Sequence, residues 1–221
     1  TIQATRGCPA AFTFCDIRKT KFRERTPENV VAEIEQMVER GVDDMFFVDD
    51  TITINKKNLA ATCDLIVKRG LKINYKISAR VDTVNPELLA ALKRSGCYRI
   101  HYGIESATQR LLDYLEKGQT LEKVNRACRW TREAGIGYFA YCMIGIPTET
   151  RDEMFATVDF VKQLKPDYAQ FSVCTPYPKT ELYFRMLSDG ILPGDHWQGF
   201  AENPSADFKI RFFNKDFTDL D

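Results

Sequence analysis

The chain predicts an α/β fold: a partial (β/α)6 barrel with parallel strands, helices outside, and an aromatic-rich C-terminal extension. Three observations carry this. Short, near-continuous apolar runs alternate with helical stretches that stop at glycine, the pattern of a parallel sheet covered by helices. The alternation gives six such units and ends near Pro176, short of the eight that a closed barrel needs. The chemically capable side chains fall where the strands end, the side on which parallel α/β folds bind ligands.

The elements follow in order. Residues 1–5 read as a β-prone entry into a cysteine loop, and residues 16–25 as a charged loop with Arg18, Lys19, Lys21, Arg23 and Arg25, a solvated surface or a lid contacting an anionic substrate or a partner domain. Thr26 caps a helix with Pro27 in its first turn and Val30, Val31, Ile34, Met37 and Val38 on one face, stopped by Gly41. Met45, Phe46, Phe47 and Val48 form a buried strand ending in Asp49-Asp50. Asn55 opens the next helix, residues 73–78 the next strand, and Asn85-Pro86 a third helix. Residues 98–104 form a strand that ends at Glu105-Ser106. Leu111, Leu112 and Leu115 predict a short helix, and Thr120 starts a longer one. The strand at 138–146 runs into Gly145-Ile146-Pro147, a helix through Met154, Val158 and Val161 follows, and residues 168–173 form the sixth strand. Residues 1–190 are read as the core. Residues 191–221 form the extension, in which Trp197, Phe200, Phe208, Phe212 and Phe213 are expected to pack over a barrel opening or edge.

Composition bounds the function. Of 221 residues, 44% are apolar and 28% charged, with 31 basic and 31 acidic side chains, so the chain is globular and has no electrostatic footprint for nucleic acid. The expected partner is a small molecule. No apolar run reaches the length of a membrane span. An odd count of seven cysteines argues against a disulfide framework and for a reducing, cytoplasmic setting. The chain opens directly on a strand without an initiator Met and is read as the core of a longer protein.

At the strand ends stand Cys8, Asp49 with Asp50, Arg80, Glu105 with Ser106, and Gly145 with Ile146. Each has a purely structural alternative. The aspartates can terminate a strand; Arg80 can pair with Asp82 or Asp49; Glu105 and Ser106 can cap a helical stretch; Gly145-Ile146-Pro147 can be a tight turn. A shared pocket explains their alignment jointly.

Read together, Arg6-Gly7-Cys8-Pro9, Phe14-Cys15, Phe47-Val48-Asp49-Asp50-Thr51, Ala79-Arg80-Val81-Asp82, Tyr102-Gly103-Ile104-Glu105-Ser106 and Met143-Ile144-Gly145-Ile146-Pro147-Thr148-Glu149-Thr150 resemble the core of radical S-adenosylmethionine (SAM) enzymes. The closest likeness is to the group carrying a cobalamin-binding domain, which includes the magnesium-protoporphyrin monomethyl ester oxidative cyclase type. The resemblance implies a [4Fe-4S] cluster held by Cys8 and Cys15, with SAM on its free iron. It implies Phe14 beside the adenine, Asp49 and Asp50 near the methionyl ammonium, Arg80, Glu105 and Ser106 near the carboxylate and ribose, and Gly145 and Ile146 along the adenine. An ammonium calls for carboxylates and a carboxylate for a guanidinium fork. It further implies an external electron donor and, in the parent protein, an N-terminal cobalamin-binding domain; it names no catalytic residue. One departure stands out: the middle cluster position is Phe12, which cannot ligate iron. The implied function is formation of a 5′-deoxyadenosyl radical for oxidation, cyclisation or methylation of a small molecule. The alternatives are a cluster-deficient member that only binds SAM or another small molecule, and a metal-free barrel using Asp49, Asp50, Glu105 and Arg80 for acid/base chemistry.

Overall fold

A computed structural model describes residues 1–192, 194–205 and 214. Five strands, β3 (Asp44–Phe46), β4 (Asn74–Ala79), β5 (Cys97–Glu105), β6 (Gly137–Ile144) and β7 (Tyr168–Val173), form one sheet in sequence order, and every neighbouring pair is parallel. The sheet curls into a half-barrel with helices along its convex side. Those helices are α1 (Pro27–Glu39), α2 (Lys56–Lys68), α3 (Pro86–Arg94), α4 (Gln109–Tyr114), α5 (Leu121–Glu133) and α6 (Arg151–Leu164), followed by α7 (Glu181–Ser188) and α8 (His196–Glu202). No helix among the described residues is long and apolar enough to cross a membrane.

Local chemistry starts most of these helices where the sequence places them. The side chains of Thr26, Asn55, Asn85, Thr120, Thr150 and Thr180 each accept a backbone N–H of the first helical turn, satisfying a donor that has no partner within the helix. Thr150 and Glu153 close a reciprocal capping box. On the convex side, Val30, Ile34, Ile66, Leu89, Leu92, Val124 and Cys128 pack against Tyr75, Ile77, Ile100, Tyr102, Tyr138 and Ala140 of the sheet. A second, smaller cluster lies at the strand ends, where Leu111, Leu115, Ile146, Cys174, Leu182 and Met186 meet.

The sequence reading holds in class and order but needs correction at the first strand. Residues 1–5 contribute one parallel bridge, Ile2 to Phe47, so the sheet proper has five strands. The ladder stops because the Ala4 and Thr5 amides donate to the Asp49 carboxylate instead of to a strand. Beyond it the chain turns, and β1 (Thr5–Arg6) pairs antiparallel with β2 (Arg23–Glu24) inside the expected charged loop. Two strands are also less covered than expected. Val48 is 44% exposed and Tyr168 53% exposed, because β7 is an edge strand and, among the described residues, the concave face of the half-barrel carries no helices. Cys97 opens β5. In the extension, Trp197 donates from Nε1 to the Pro176 carbonyl at 2.8 Å and stacks on Tyr177, whereas Phe208, Phe212 and Phe213 lie outside the described residues.

Candidate functional site

The cysteine loop leaves β1 through Gly7, whose φ of +83° and contact with the Lys21 carbonyl leave no room for a Cβ. It is then tied down by backbone hydrogen bonds, Thr20 N to Cys8 O at 3.0 Å, Thr13 N to Leu115 O at 3.0 Å and Leu182 N to Thr13 O at 2.8 Å. Cys8 is buried, with its sulfur 4.0 Å from Thr51 Oγ1. Cys15 is half-buried; burial pushes its thiol up, while nearby Lys117 pulls it down.

Between these thiols stands Phe12. Its ring stacks on Phe14 at 5.7 Å, with the Arg80 guanidinium 4.7 Å and the Lys117 ammonium 4.3 Å from the ring centroid. Arg80 leaves the end of β4 in a bidentate pair with Asp82, at 2.8 and 2.6 Å, so that structural alternative is realised. Lys117 in turn donates to Glu105 Oε1 at 2.7 Å, and both residues are buried. Gly103 makes space for them, since a Cβ there would fall 2.9 Å from Lys117 Nζ. A cleft of about 310 Å³ opens beside this group, lined by Ala10, Phe12, Ile54, Arg80, Lys117 and Gly118 among others.

The other candidates sit around this centre. Asp49 is buried and taken up by Ala4 N, Thr5 N and Thr5 Oγ1; burial raises its carboxyl and those donors oppose the rise. Asp50 is exposed. Ser106 is fully buried, its hydroxyl 3.4 Å from Thr157 on α6 and accepting from Thr108 N. The Gly145 and Ile146 amides both donate to Glu149 Oε2, at 2.6 and 3.1 Å, closing the turn on itself. Phe12, Phe14, Arg80, Lys117 and Glu105 thus form one contact group, and Phe14 also packs on the strand-end cluster that holds Ile146; the contacts of Cys8, Asp49 and Ser106 run to other residues.

Two members went unrecognised in the sequence. Lys117 carried no local signal, because a buried lysine is recognisable only through its partner. Glu149, quoted in its motif but not assigned a role, is fully buried with Oε1 unpartnered among the described residues, and burial pushes it up to about 7. Of the carboxylates that the acid/base alternative uses, Asp49 and Glu105 are both engaged, while Asp50 is exposed.

A sequence profile described as the Radical SAM superfamily matches residues 2–161. The chain belongs to that superfamily. It is 34% identical over 204 residues to an uncharacterized methyltransferase of Pyrococcus horikoshii, covering 90% of this chain and 44% of that protein. It is 36% identical over 193 residues to the anaerobic magnesium-protoporphyrin IX monomethyl ester cyclase of Cereibacter sphaeroides, covering 84% of this chain and 31% of that one. The chain therefore spans less than half the length of these curated relatives. Among solved structures, the radical SAM methyltransferase TsrM of Kitasatospora setae, with cobalamin and a [4Fe-4S] cluster bound, superposes with a TM-score of 0.78 at 23% identity, covering 85% of this chain and 36% of that one. That likeness shows the fold.

The donor set tests the cluster directly. Such a cluster is held by thiolates, and this radical SAM loop presents Cys8 and Cys15 with a phenyl ring between them. Cys142 does not complete the set, because it lies in β6 on the helix-covered face and burial pushes its thiol up to about 12. No group of three or more His, Cys, Asp or Glu among the described residues is arranged around a metal. Ligation by three thiolates does not fit this chain.

Proposed function

We propose that this chain is the SAM-binding core of a radical SAM protein of the methyltransferase and cyclase type, one thiolate short of the cluster. The observation that carries the reading is the meeting of the Cys8–Cys15 loop with Phe14, Arg80 and the Glu105–Lys117 pair at the strand ends. A SAM carboxylate would share Arg80 with Asp82 and Lys117 with Glu105, and the exposed Asp50 offers an anion to an ammonium. Phe14 supplies an aromatic ring for adenine and packs on the strand-end cluster that holds Ile146. A complete cluster supplies the reductive cleavage of SAM to a 5′-deoxyadenosyl radical; with Phe12 in the loop, this chain binds SAM without that chemistry. In the parent protein, a cobalamin-binding domain is the expected neighbour, in keeping with the cobalamin-bound structure of similar fold. An external electron donor, and oxidation, cyclisation or methylation of a small molecule, would follow only with a loop that carries all three thiolates.

The test is anaerobic iron-sulfur reconstitution of this chain beside Phe12→Cys, with iron, sulfide and SAM affinity measured on both. The expected result is SAM binding by both proteins and about four irons in Phe12→Cys alone. Loading of both would show that another ligand completes the site and that the chain as it stands is a radical enzyme. Loading of neither, with no SAM bound, would overturn the assignment.

A further inference from the structure

The concave face of the sheet has a chemistry that the strand-end site does not use. By register, Phe46 of β3 lies beside Lys76 of β4, Lys76 beside Arg99 of β5, and His101 beside Phe139 of β6 and, through it, Tyr168 of β7. Aromatic rings run across this surface: Phe46 to His101 at 5.4 Å, His101 to Phe139 at 5.2 Å and Phe139 to Tyr168 at 5.9 Å between centroids. Tyr141 packs over the row, 4.7 Å from Phe139. Cations flank it, with Lys76 Nζ 5.2 Å from the Phe46 ring and the Arg99 guanidinium 4.5 Å from that of Tyr168.

These cations have no anion. Neither Lys76 nor Arg99 forms an ion pair among the described residues, and the acidic groups at the two ends of the face are engaged. Asp44 accepts from the Tyr98 hydroxyl at 3.4 Å, and Glu105 holds Lys117. Two buried nitrogens, Arg99 Nε and His101 Nε2, lack a hydrogen-bond partner among the described residues. Both atoms are closed off from solvent, so what the open face presents to a partner is the unpaired charge of Lys76 and Arg99. His101 is held in place by the Tyr141 hydroxyl, 3.2 Å from Nδ1. A neutral imidazole that accepts there carries its proton on Nε2. Burial, Lys76 and Arg99 all keep it neutral.

We propose that the concave face binds a planar conjugated carboxylate, its ring system lying on Phe46, His101, Phe139 and Tyr168 and its carboxylate on Lys76 and Arg99. As an assignment of substrate class, this rests on the radical SAM reading of the strand ends. Stacking accounts for the flat ring, and charge-assisted hydrogen bonds to a guanidinium and an ammonium account for the anion. A neutral flat molecule would leave both cations without an anion. An aliphatic acid would leave the aromatic row uncovered.

The test is titration of the full chain with 2-naphthoate, 2-naphthamide and cyclohexanecarboxylate, with SAM affinity measured on the same samples. Naphthoate is expected to bind about tenfold tighter than either control, as one charge-assisted contact supplies. Lys76→Gln and Arg99→Gln should each remove most of that margin while leaving SAM affinity unchanged. The groups facing His101 are Lys76 of β4, Arg99 of β5 and Tyr141 of β6, so an added anion should raise its titration midpoint in proton NMR, and naphthamide should not. If Arg99→Gln does not fold, Lys76→Gln and the His101 titration carry the test. Equal binding of acid and amide, or naphthoate binding unchanged in the variants, overturns the proposal even where SAM binds. Loss of SAM binding with selective naphthoate binding retained overturns the strand-end reading alone.

Discussion

Lys117 and Glu105 meet at 2.7 Å in a site where both are almost wholly enclosed. The ammonium also faces the rings of Phe12 and Phe14. An ion pair removed from water is costly to break from one side, because the remaining charge is left buried and unpaired. Lys117→Met should therefore cost about 3–5 kcal/mol in urea denaturation. Glu105→Gln combined with Lys117→Met should cost less than the sum of the single changes. An additive double variant would show that the pair is not coupled.

Phe12 is held by two cations and one ring. Replacing it by leucine keeps much of the apolar volume and removes the quadrupole. The expected loss is about 1–2 kcal/mol, from two cation–π contacts of about 0.5–1 kcal/mol each. A double-mutant cycle with Arg80→Gln checks it: coupling of about 0.5–1 kcal/mol is expected, and none if the ring is only filler.

Asp49 ties the N-terminal segment to the sheet through the Ala4 and Thr5 amides and the Thr5 hydroxyl. Asn accepts fewer of these donors and brings two of its own. Asp49→Asn should cost about 1–3 kcal/mol, the penalty of stranded buried donors. Hydrogen exchange at Ala4 and Thr5 should quicken with it, while exchange in the β5–β6 ladder stays slow.

Glu149 sets a pH dependence. Burial holds its carboxyl at about 7 in the folded chain, against an ordinary value of 4.5. The folded state thus binds the proton more tightly than the unfolded one. Its contribution is fully present below about pH 4.5 and is lost as pH rises to about 7. Relative to Glu149→Gln, the parent chain should lose up to about 3 kcal/mol across that window. Denaturant midpoints of both proteins at pH 5 and pH 8 measure it; a constant difference would show that the carboxyl titrates normally.

Local chemistry made much of the fold legible. Thr26, Asn55, Asn85 and Thr120 open helices in the structure where the sequence predicts, because an N-cap bond spans only three residues. The order of the parallel strands followed from the alternation of glycine-stopped helices and apolar runs. The two-thiolate loop with Phe12 at its centre was visible because its residues are close in sequence.

Tertiary structure decided what depends on distant partners. The first strand shrank to one bridge because Asp49, more than 40 residues away, takes the Ala4 and Thr5 amides. Lys117 became part of the site only through Glu105, 12 residues before it. The alternation of Lys76 with Ser78, and of Arg99 with His101, was a sign in the sequence that one face of the sheet is open. Which rings and cations share that face follows from strand register, and register is fixed by packing across the whole sheet.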